Sequence, residues 1–387
     1  MLRGIANYVH HHRPWSFVWE PGGLDKAWPR IDMLELDGII LRDVDKVNEV
    51  IASHTPAVVI GHGRKEVSSL LNVVTDSERI GLMAAEHLLA CGFRRFAFCG
   101  AGQFKQEIAP WAESRQHSFS ERVQKAGWPC ANFPISTSGR ESWERERRRM
   151  IRWLQSLPKP VGLMAANDDR AQQVVEACKA ADIHVPSEVG VIGVDNDEVV
   201  CGLSDPPLSS VAVNFDRAGY EAAAALECLM EKRGAVPERI LVHPTHIVVR
   251  RSTDVVAVED QSVARALRYI RGANVGQDVT VAMVARQAGV SRRVLEKRFR
   301  RVIGCSVLDE IRRMNTDRMA RMLVETQLSV KEIAETLGFD DLQHFARYFR
   351  SVKKLSPLAY RKAYAAHSVE QRRSHSGDFL AQSGVVR

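Results

Sequence analysis

The 387-residue sequence has no C-x-x-C pair among its seven cysteines and no complete phosphate-binding or dinucleotide-binding glycine motif. Its longest apolar runs fall well short of the roughly 18 residues a membrane helix needs, so no membrane span is expected. Cys91, Cys99, Cys130, Cys178, Cys201, Cys228 and Cys305 are scattered and odd in number. That pattern argues against a zinc site or a disulfide framework and fits a reducing compartment. The stretch Met1–Trp15 has no apolar core of the kind a secretion signal carries, so a cytoplasmic location is expected. Gly61-His-Gly63 lacks the third glycine and the amphipathic helix of a dinucleotide site. There is no nucleophile elbow and no metal pattern, and consecutive His10, His11 and His12 point in different directions round a helix. Neither an enzyme nor a cofactor is expected.

What is present is ordinary soluble composition, 45% hydrophobic and 26% charged, with an uneven charge distribution. Residues 262–366 hold 21 of the 54 Lys and Arg and 10 of the 47 Asp and Glu, a net of +11, which leaves −4 for the rest of the chain. The basic character belongs to a C-terminal unit and points to phosphate, and so to nucleic acid, as its partner.

That unit carries one pattern twice. Val281-AMVARQAGVSRRVLEKRFRRVIG ends at Gly304, and Val330-KEIAETLGFDDLQHFARYFRSVKKLSP ends at Pro357. Ala285 and Gly289 recur as Ala334 and Gly338, 49 residues on; Phe299 and Ser306 recur as Phe349 and Ser356, 50 residues on. The slip falls just after the tight turn, where an insertion disturbs least. Apolar residues at Val281, Val284, Ala285 and Ala288, and at Val330, Ile333, Ala334 and Leu337, follow the spacing of a core face. Ser329-Val-Lys-Glu332 is a capping box, Ser356-Pro357 a helix start, and Ser291 a cap after the Gly289 turn. A plain helical bundle explains the apolar stripes, but not the duplication together with the exposed basic residues. Each unit therefore reads as a helix-turn-helix whose second helix enters the DNA major groove. In the first, Arg292, Arg293, Glu296, Lys297 and Arg300 lie opposite Val294, Leu295 and Phe299. In the second, Asp341, Gln343, His344 and Arg347 alternate with Phe345 and Phe349, and Lys353 is a phosphate contact. Arg reads guanine and Gln reads adenine, while neighbouring cations hold phosphate. The first helix is the more basic, so it is expected to supply more affinity and the second more selectivity.

Residues 1–253 alternate short apolar runs with amphipathic segments. Gly38-IILR, Ala57-VVIGH, Arg95-FAFCG, Val161-GLMAAND and Val189-GVIGVD predict buried parallel strands. Ser77–Cys91, Trp111–Ala126, Asp169–Asp182 and Asp216–Lys232 predict helices, and Ile240-LVHP and His246-IVVRRST closing strands. The fold class is an α/β domain followed by an all-α domain. The expected boundaries are a sensor over 1–253, a linker over 254–262, a reader over 263–366 and a disordered tail over 367–387.

The reader resembles the AraC/XylS family of transcription regulators through Ala285-RQAGVSRRVLEKRF, Ile333-AETLGFDDLQHFARYFR and Ser356-Pro357. The resemblance implies a central helix near Val307–Glu325 and base-reading side chains at Arg293, Glu296, Lys297, Leu342, Gln343 and Arg347. Leu342 offers only apolar contact, and Glu296 reads cytosine or positions its neighbours. The α/β half resembles the LacI/GalR family and its periplasmic-binding-protein type I fold, through Thr75-DSERIGLMAAEHLLACGFRRFAFCG, Leu163-MAANDDRA and Val191-IGVDNDE. That fold implies two lobes closing on a small ligand, with contacts at the carboxyl ends of strands. Asn167, Asp168 and Asp195 end strands and are candidate acceptors from sugar hydroxyls. Arg115 stands where the family keeps a sugar-binding arginine, and Trp111 is a candidate to stack on a pyranose. Against these stands the plain alternative that Asp168 or Asp169 caps the following helix.

A sensor ahead of an AraC-type reader is similar to the xylose operon regulators, as are Arg250-Arg-Ser-Thr-Asp254 and Glu296-Lys-Arg-Phe299. The resemblance implies an activator of pentose catabolism genes, D-xylose or a related monosaccharide as effector, a homodimer on double-stranded DNA half-sites, and RNA polymerase as a partner. That group opens with a buried strand, whereas this chain begins at Met1-LRGIANYV, inside the following helix. A first strand of roughly 15–25 residues is thus expected to be missing upstream, leaving sheet edges unpaired. Two other readings compete: a DNA-binding regulator with a degenerate or non-sugar sensor, and an α/β enzyme with a nucleic-acid-binding tail.

Overall fold

The computed structural model describes residues 1–18, 35–42, 47–61, 66–100, 109–134, 142–233, 236–254, 258, 260–273 and 279–365. The expected tail, linker residues 255–257 and 259, and Gly63 lie outside them. The first half is built on two sheets. One holds β1 (Ile39–Arg42), β2 (Ala57–Ile60), β3 (Leu71–Thr75) and β9 (Arg239–Val242), all parallel in that order. The other runs β10 (Pro244–Val248), β8 (Ser209–Val213), β7 (Val189–Asp195), β6 (Val161–Ala165), β4 (Phe96–Cys99) and β5 (Cys130–Asn132), with only β10 antiparallel to its neighbour. The near-continuous apolar runs of β4, β6 and β7 are buried along almost their whole length because helices cover both faces.

Helices α1 (Leu2–His11), α2 (Val47–Ser53) and α8 (Phe215–Met230) accompany the first sheet. The helices α3 (Ser77–Ala90), α4 (Pro110–Lys125), α5 (Trp143–Ser156), α6 (Asp168–Ala180) and α7 (Glu198–Leu203) accompany the second. The chain therefore passes between the sheets at three places: Thr75 to Ser77, Val213 to Phe215 and Val242 to Pro244. These crossings are bonded to one another. Asp76 N–H donates to the Val242 carbonyl at 2.9 Å, Asn214 N–H to that of His243 at 3.3 Å, and His243 Nδ1 lies 2.9 Å from Asp76 Oδ2. Phe93, Phe96, Phe98 and Phe119 fill the core of the second lobe, and burying each side chain of this size contributes about 2–3 kcal/mol.

After a 3₁₀ turn over Arg251–Thr253 the chain is helical: α9 (Gln261–Gly272), α10 (Val281–Ala288), α11 (Arg292–Ile303), α12 (Val307–Glu325), α13 (Val330–Thr336), α14 (Leu342–Lys353) and α15 (Pro357–Tyr364). The duplication is structural. Thr280, Ser291 and Ser306 cap α10, α11 and α12, as Ser329, Asp341 and Ser356 cap α13, α14 and α15. Gly289 (φ 70°) and Gly338 (φ 76°) make the left-handed turns that glycine tolerates without penalty. From Gly289 to the next cap is two residues and from Gly338 three, which locates the one-residue slip in the turn. Leu295 and Phe299 anchor one small core; Phe345 and Phe349, all fully buried, anchor the other. The central helix spans Val307–Glu325, as expected, and both units pack on it.

Candidate functional site

Arg115 comes from the second turn of α4, which Pro110 starts, and its side chain runs inward to the boundary between the two lobes. Only 3% exposed, it donates from Nη1 to the Ala166 carbonyl at 2.6 Å, beyond the end of β6, and from Nη2 to Thr75 Oγ1 at 3.5 Å, at the end of β3. Nη2 lies 3.9 Å from Asp195 Oδ1, and the guanidinium carbon lies 4.6 Å from the Trp111 ring centroid. Among the described residues, two buried polar atoms here have no hydrogen-bond partner: Arg115 Nε and Asp195 Oδ1. Leaving such a group unsatisfied costs about 1–3 kcal/mol, more when it is charged. Asp195 (φ 105°) and Asn196 (φ 54°) both hold positive φ, a strained backbone for residues with a side chain. Orphaned charge and stored strain thus coincide at the carboxyl end of β7.

The expected carboxylate pair divides. Asp168 is buried and each of its oxygens accepts a hydrogen bond: Ser210 Oγ donates to Oδ1 at 2.6 Å and Asp197 N–H to Oδ2 at 2.8 Å. A Cβ on Gly193 would lie 2.2 Å from Oδ1, so glycine there is what admits the carboxylate. Asp168 thus tethers the β7–α7 turn to β8. Asn167 is the N-cap of α6, its side chain accepting from Arg170 N–H at 3.0 Å, so the capping role falls one residue earlier than Asp168 or Asp169. Burial pushes the Asp168 carboxyl up to about 7 against the Ser210 hydrogen bond. Burial also raises Asp195, to about 6, with the Arg115 charge opposing. Trp111 is half-buried and holds Arg115 over its ring. Sequence reasoning missed Thr75, Ser210 and Asn196, the last accepting from Arg250 Nη2 at 2.8 Å and donating its N–H to Ser210 Oγ at 3.0 Å. Only the run Val194-Asp-Asn-Asp197 signalled that the turn was special.

The reader presents two exposed helix faces. On α11, Arg292, Arg293, Lys297 and Arg300 are exposed, whereas Glu296 is half-buried with Oε2 3.9 Å from Arg300 Nε. On α14, Leu342, Gln343, His344 and Arg347 are exposed, and Asp341 is spent as the helix cap. The His344 ring packs near those of Phe339 and Tyr348, with centroids 5.5 and 6.4 Å away. The Lys353 ammonium donates to Asp317 Oδ1 of α12 at 2.8 Å, and the side chain is 21% exposed. Four residues after Phe349, Lys353 lies on the same face of the helix, towards α12. The cations continuing the Gln343–Arg347 face are Arg350 and Lys354, both exposed and both overlooked in the sequence.

A profile described as a periplasmic binding protein-like domain matches residues 85–253, and one described as a helix-turn-helix domain matches 284–363. Together with the geometry, these define a DNA-binding transcription regulator whose sensor precedes its reader. The xylose operon regulatory protein of Escherichia coli (strain K12) is 31% identical over 370 residues, 93% of each chain. Its counterpart in Haemophilus influenzae is 30% identical over 366 residues, 93% of this chain and 94% of that one. The chain belongs to the xylose operon regulator family. The solved structure of the xylose-binding transcription activator xylR is 30% identical, covers 94% of both chains and gives a TM-score of 0.56. A LacI family regulator from Enterococcus faecium, solved with bound ribose, shares the sensor fold at 20% identity (TM-score 0.51, 65% of this chain and 91% of that one).

Proposed function

We propose that the sensor half takes a monosaccharide, D-xylose or a related pentose, between its lobes and so controls sugar catabolism genes as an activator. The observation that carries this reading is the pairing of buried Arg115 with half-buried Asp195 at the lobe boundary, where Nε and Oδ1 both lack a hydrogen bond among the described residues, beside the Trp111 ring. A sugar hydroxyl donates to a carboxylate and accepts from a guanidinium, so one ligand satisfies both orphans, while an aromatic ring receives the apolar face of a pyranose. The similarity to xylose operon regulatory proteins and to a xylose-binding transcription activator supports the pentose. In this reading the protein works in the cytoplasm as a homodimer on paired DNA half-sites next to RNA polymerase. Arg293, Lys297, Gln343 and Arg347 read base edges. Leu342 contacts a thymine methyl, and Arg292, Arg300, His344, Arg350 and Lys354 meet the backbone. Glu296 positions Arg300.

An enzymatic role is disfavoured by how the cleft carboxylates are used. Asp168 is tied to Ser210 and Asp197, and Asp195 faces a fixed cation. The test is a thermal-shift screen of the full chain with D-xylose, L-arabinose, D-ribose and D-glucose. A binder at 100 times its Kd stabilises the fold by about 2.7 kcal/mol. A shift with a pentose that Arg115→Met abolishes supports the reading. No shift with any of the four moves the protein to the alternative of a regulator with a non-sugar sensor.

A further inference from the structure

The last helix of the reader lies on the crossings between the two sensor lobes. Asn214, in the middle crossing, donates from Nδ2 to the Tyr364 carbonyl, and Arg217 donates from Nη1 to the Lys362 carbonyl. Tyr360 Oη donates to the Thr245 carbonyl at 2.8 Å, just past the third crossing, and the rings of His243 and Tyr364 meet edge to face at 6.4 Å. The same helix is rooted in the second DNA-reading unit. Tyr360 stacks edge-on against Phe349 of α14 at 5.2 Å, and Arg361 Nε donates to the Leu323 carbonyl of α12 at 3.0 Å. Beside it, His246 Nε2 of β10 lies 2.9 Å from Glu325 Oε1 at the end of α12.

When two lobes close on a ligand, backbone rotation is concentrated in the segments that cross between them. A helix bonded to those segments is moved by closure, whereas one bonded to a lobe face moves only with that lobe. We propose that α15 is the coupling element of this protein: its last turn senses the angle of the lobe crossings and passes it through Tyr360 and Phe349 to the reading face of α14. The inference rests on the effector reading above, and it places the output of the switch on the second reader unit.

The test uses the full chain carrying Asn214→Asp and Tyr360→Phe together. Aspartate still caps α8, where Asn214 accepts from Arg217 N–H, but it cannot donate to Tyr364. Phenylalanine keeps the ring against Phe349 and loses only the hydroxyl. D-xylose affinity is measured with and without a duplex selected by the wild-type chain from a random library. Coupling between two linked sites is typically about 5-fold to 150-fold, so the wild type is expected to fall in that range and the variant within about twofold of no coupling. Both separate affinities should stay near wild type. A variant that keeps wild-type coupling overturns the proposal, as does a wild type that binds both ligands without coupling. If D-xylose does not bind at all, the effector reading falls instead. The docking of α15 is then judged by hydrogen exchange: the Asp76 and Asn214 amides must exchange faster in the variant, and unchanged rates sink it.

Discussion

Replacing Asp168 by asparagine separates a tether from a ligand contact and has a calculable pH signature. Burial holds the folded carboxyl near 7, against 3.8 for the ordinary group. Between those values the folded protein keeps a proton that the unfolded chain has released, so the stability this group contributes is present below pH 3.8 and lost as pH rises through 7. At 1.36 kcal/mol per unit, the loss is on the order of 4 kcal/mol by pH 8. Asparagine imitates the protonated acid at every pH. It turns an amide N–H₂ towards one of two donors, but Ser210 can rotate its hydroxyl to accept, so the mismatch costs about 1–2 kcal/mol. Asp168→Asn is therefore expected to be about as stable as wild type at pH 5, where the wild type has already lost about 1.6 kcal/mol, and about 2–3 kcal/mol more stable at pH 8. All seven tryptophans precede residue 154, so tryptophan fluorescence during guanidinium unfolding follows the sensor alone. A difference between the proteins that stays constant from pH 5 to 8 would refute the buried-tether account. So would a loss of D-xylose affinity beyond about tenfold at pH 6, which corresponds to 1.4 kcal/mol and marks a direct contact.

Two further outcomes follow from the same geometry. In the proposed site an ionised Asp195 accepts from a sugar hydroxyl more strongly than the protonated acid, so D-xylose affinity should fall as pH drops below about 6, by up to about tenfold per unit; isothermal titration at pH 5 and 7 checks it, and Asp195→Asn should abolish the dependence. Lys353→Ala should leave the salt slope of DNA binding unchanged and lower stability by less than about 1 kcal/mol, because its partly exposed pair with Asp317 is intramolecular. A slope reduced by about 0.9 would return Lys353 to the phosphate backbone.

The strands legible in the sequence are β1, β2, β4, β6 and β7, which read as apolar runs, and the closing strands β9 and β10, of which β10 also buries Thr245 and His246. Two core strands escaped because they bury polar side chains. Asn72 of β3 is 4% exposed and spends its amide on the backbone of Val67 and Leu70. Ser209 and Ser210 of β8 are wholly buried, bonded to Arg250, Thr253 and Asp168. Helix α5 escaped because charge dominates it and only Met150 and Leu154 are buried. At the site, residue type and strand-end position singled out Asp195 and Asp168 alike, and only the family resemblance singled out Arg115, in α4. Position could not separate Asp168 from Asp195, because the difference lies in Ser210, 42 residues away, turning towards Asp168. The seat of α15 on Asn214 spans 150 residues and leaves no local pattern at all.

The two reading helices look unequal in sequence, since α11 carries six basic residues and α14 three, with Lys354 following. The structure narrows that gap. Arg298 and Arg301 lean on Asp260 at 3.6 and 4.0 Å, and Arg300 lies 3.9 Å from Glu296. That leaves Arg292, Arg293 and Lys297 without an ion pair among the described residues. On the second helix Lys353 is taken by Asp317, which leaves Arg347, Arg350 and Lys354. Each unit thus offers three uncommitted cations to the duplex, and a cation at a base edge displaces counterions as one on a phosphate does. At about 0.9 per neutralised phosphate, converting either trio to alanine should lower the salt slope by about 2.7, and by about the same amount for both trios. The expectation that the first unit supplies most of the affinity would survive only if its trio lowered the slope about twice as much. The units then differ in selectivity alone: Arg293 and Lys297 favour guanine, whereas Gln343 and Leu342 favour an adenine–thymine step. Binding selections with each trio replaced should lose sequence preference in different half-sites while losing similar affinity.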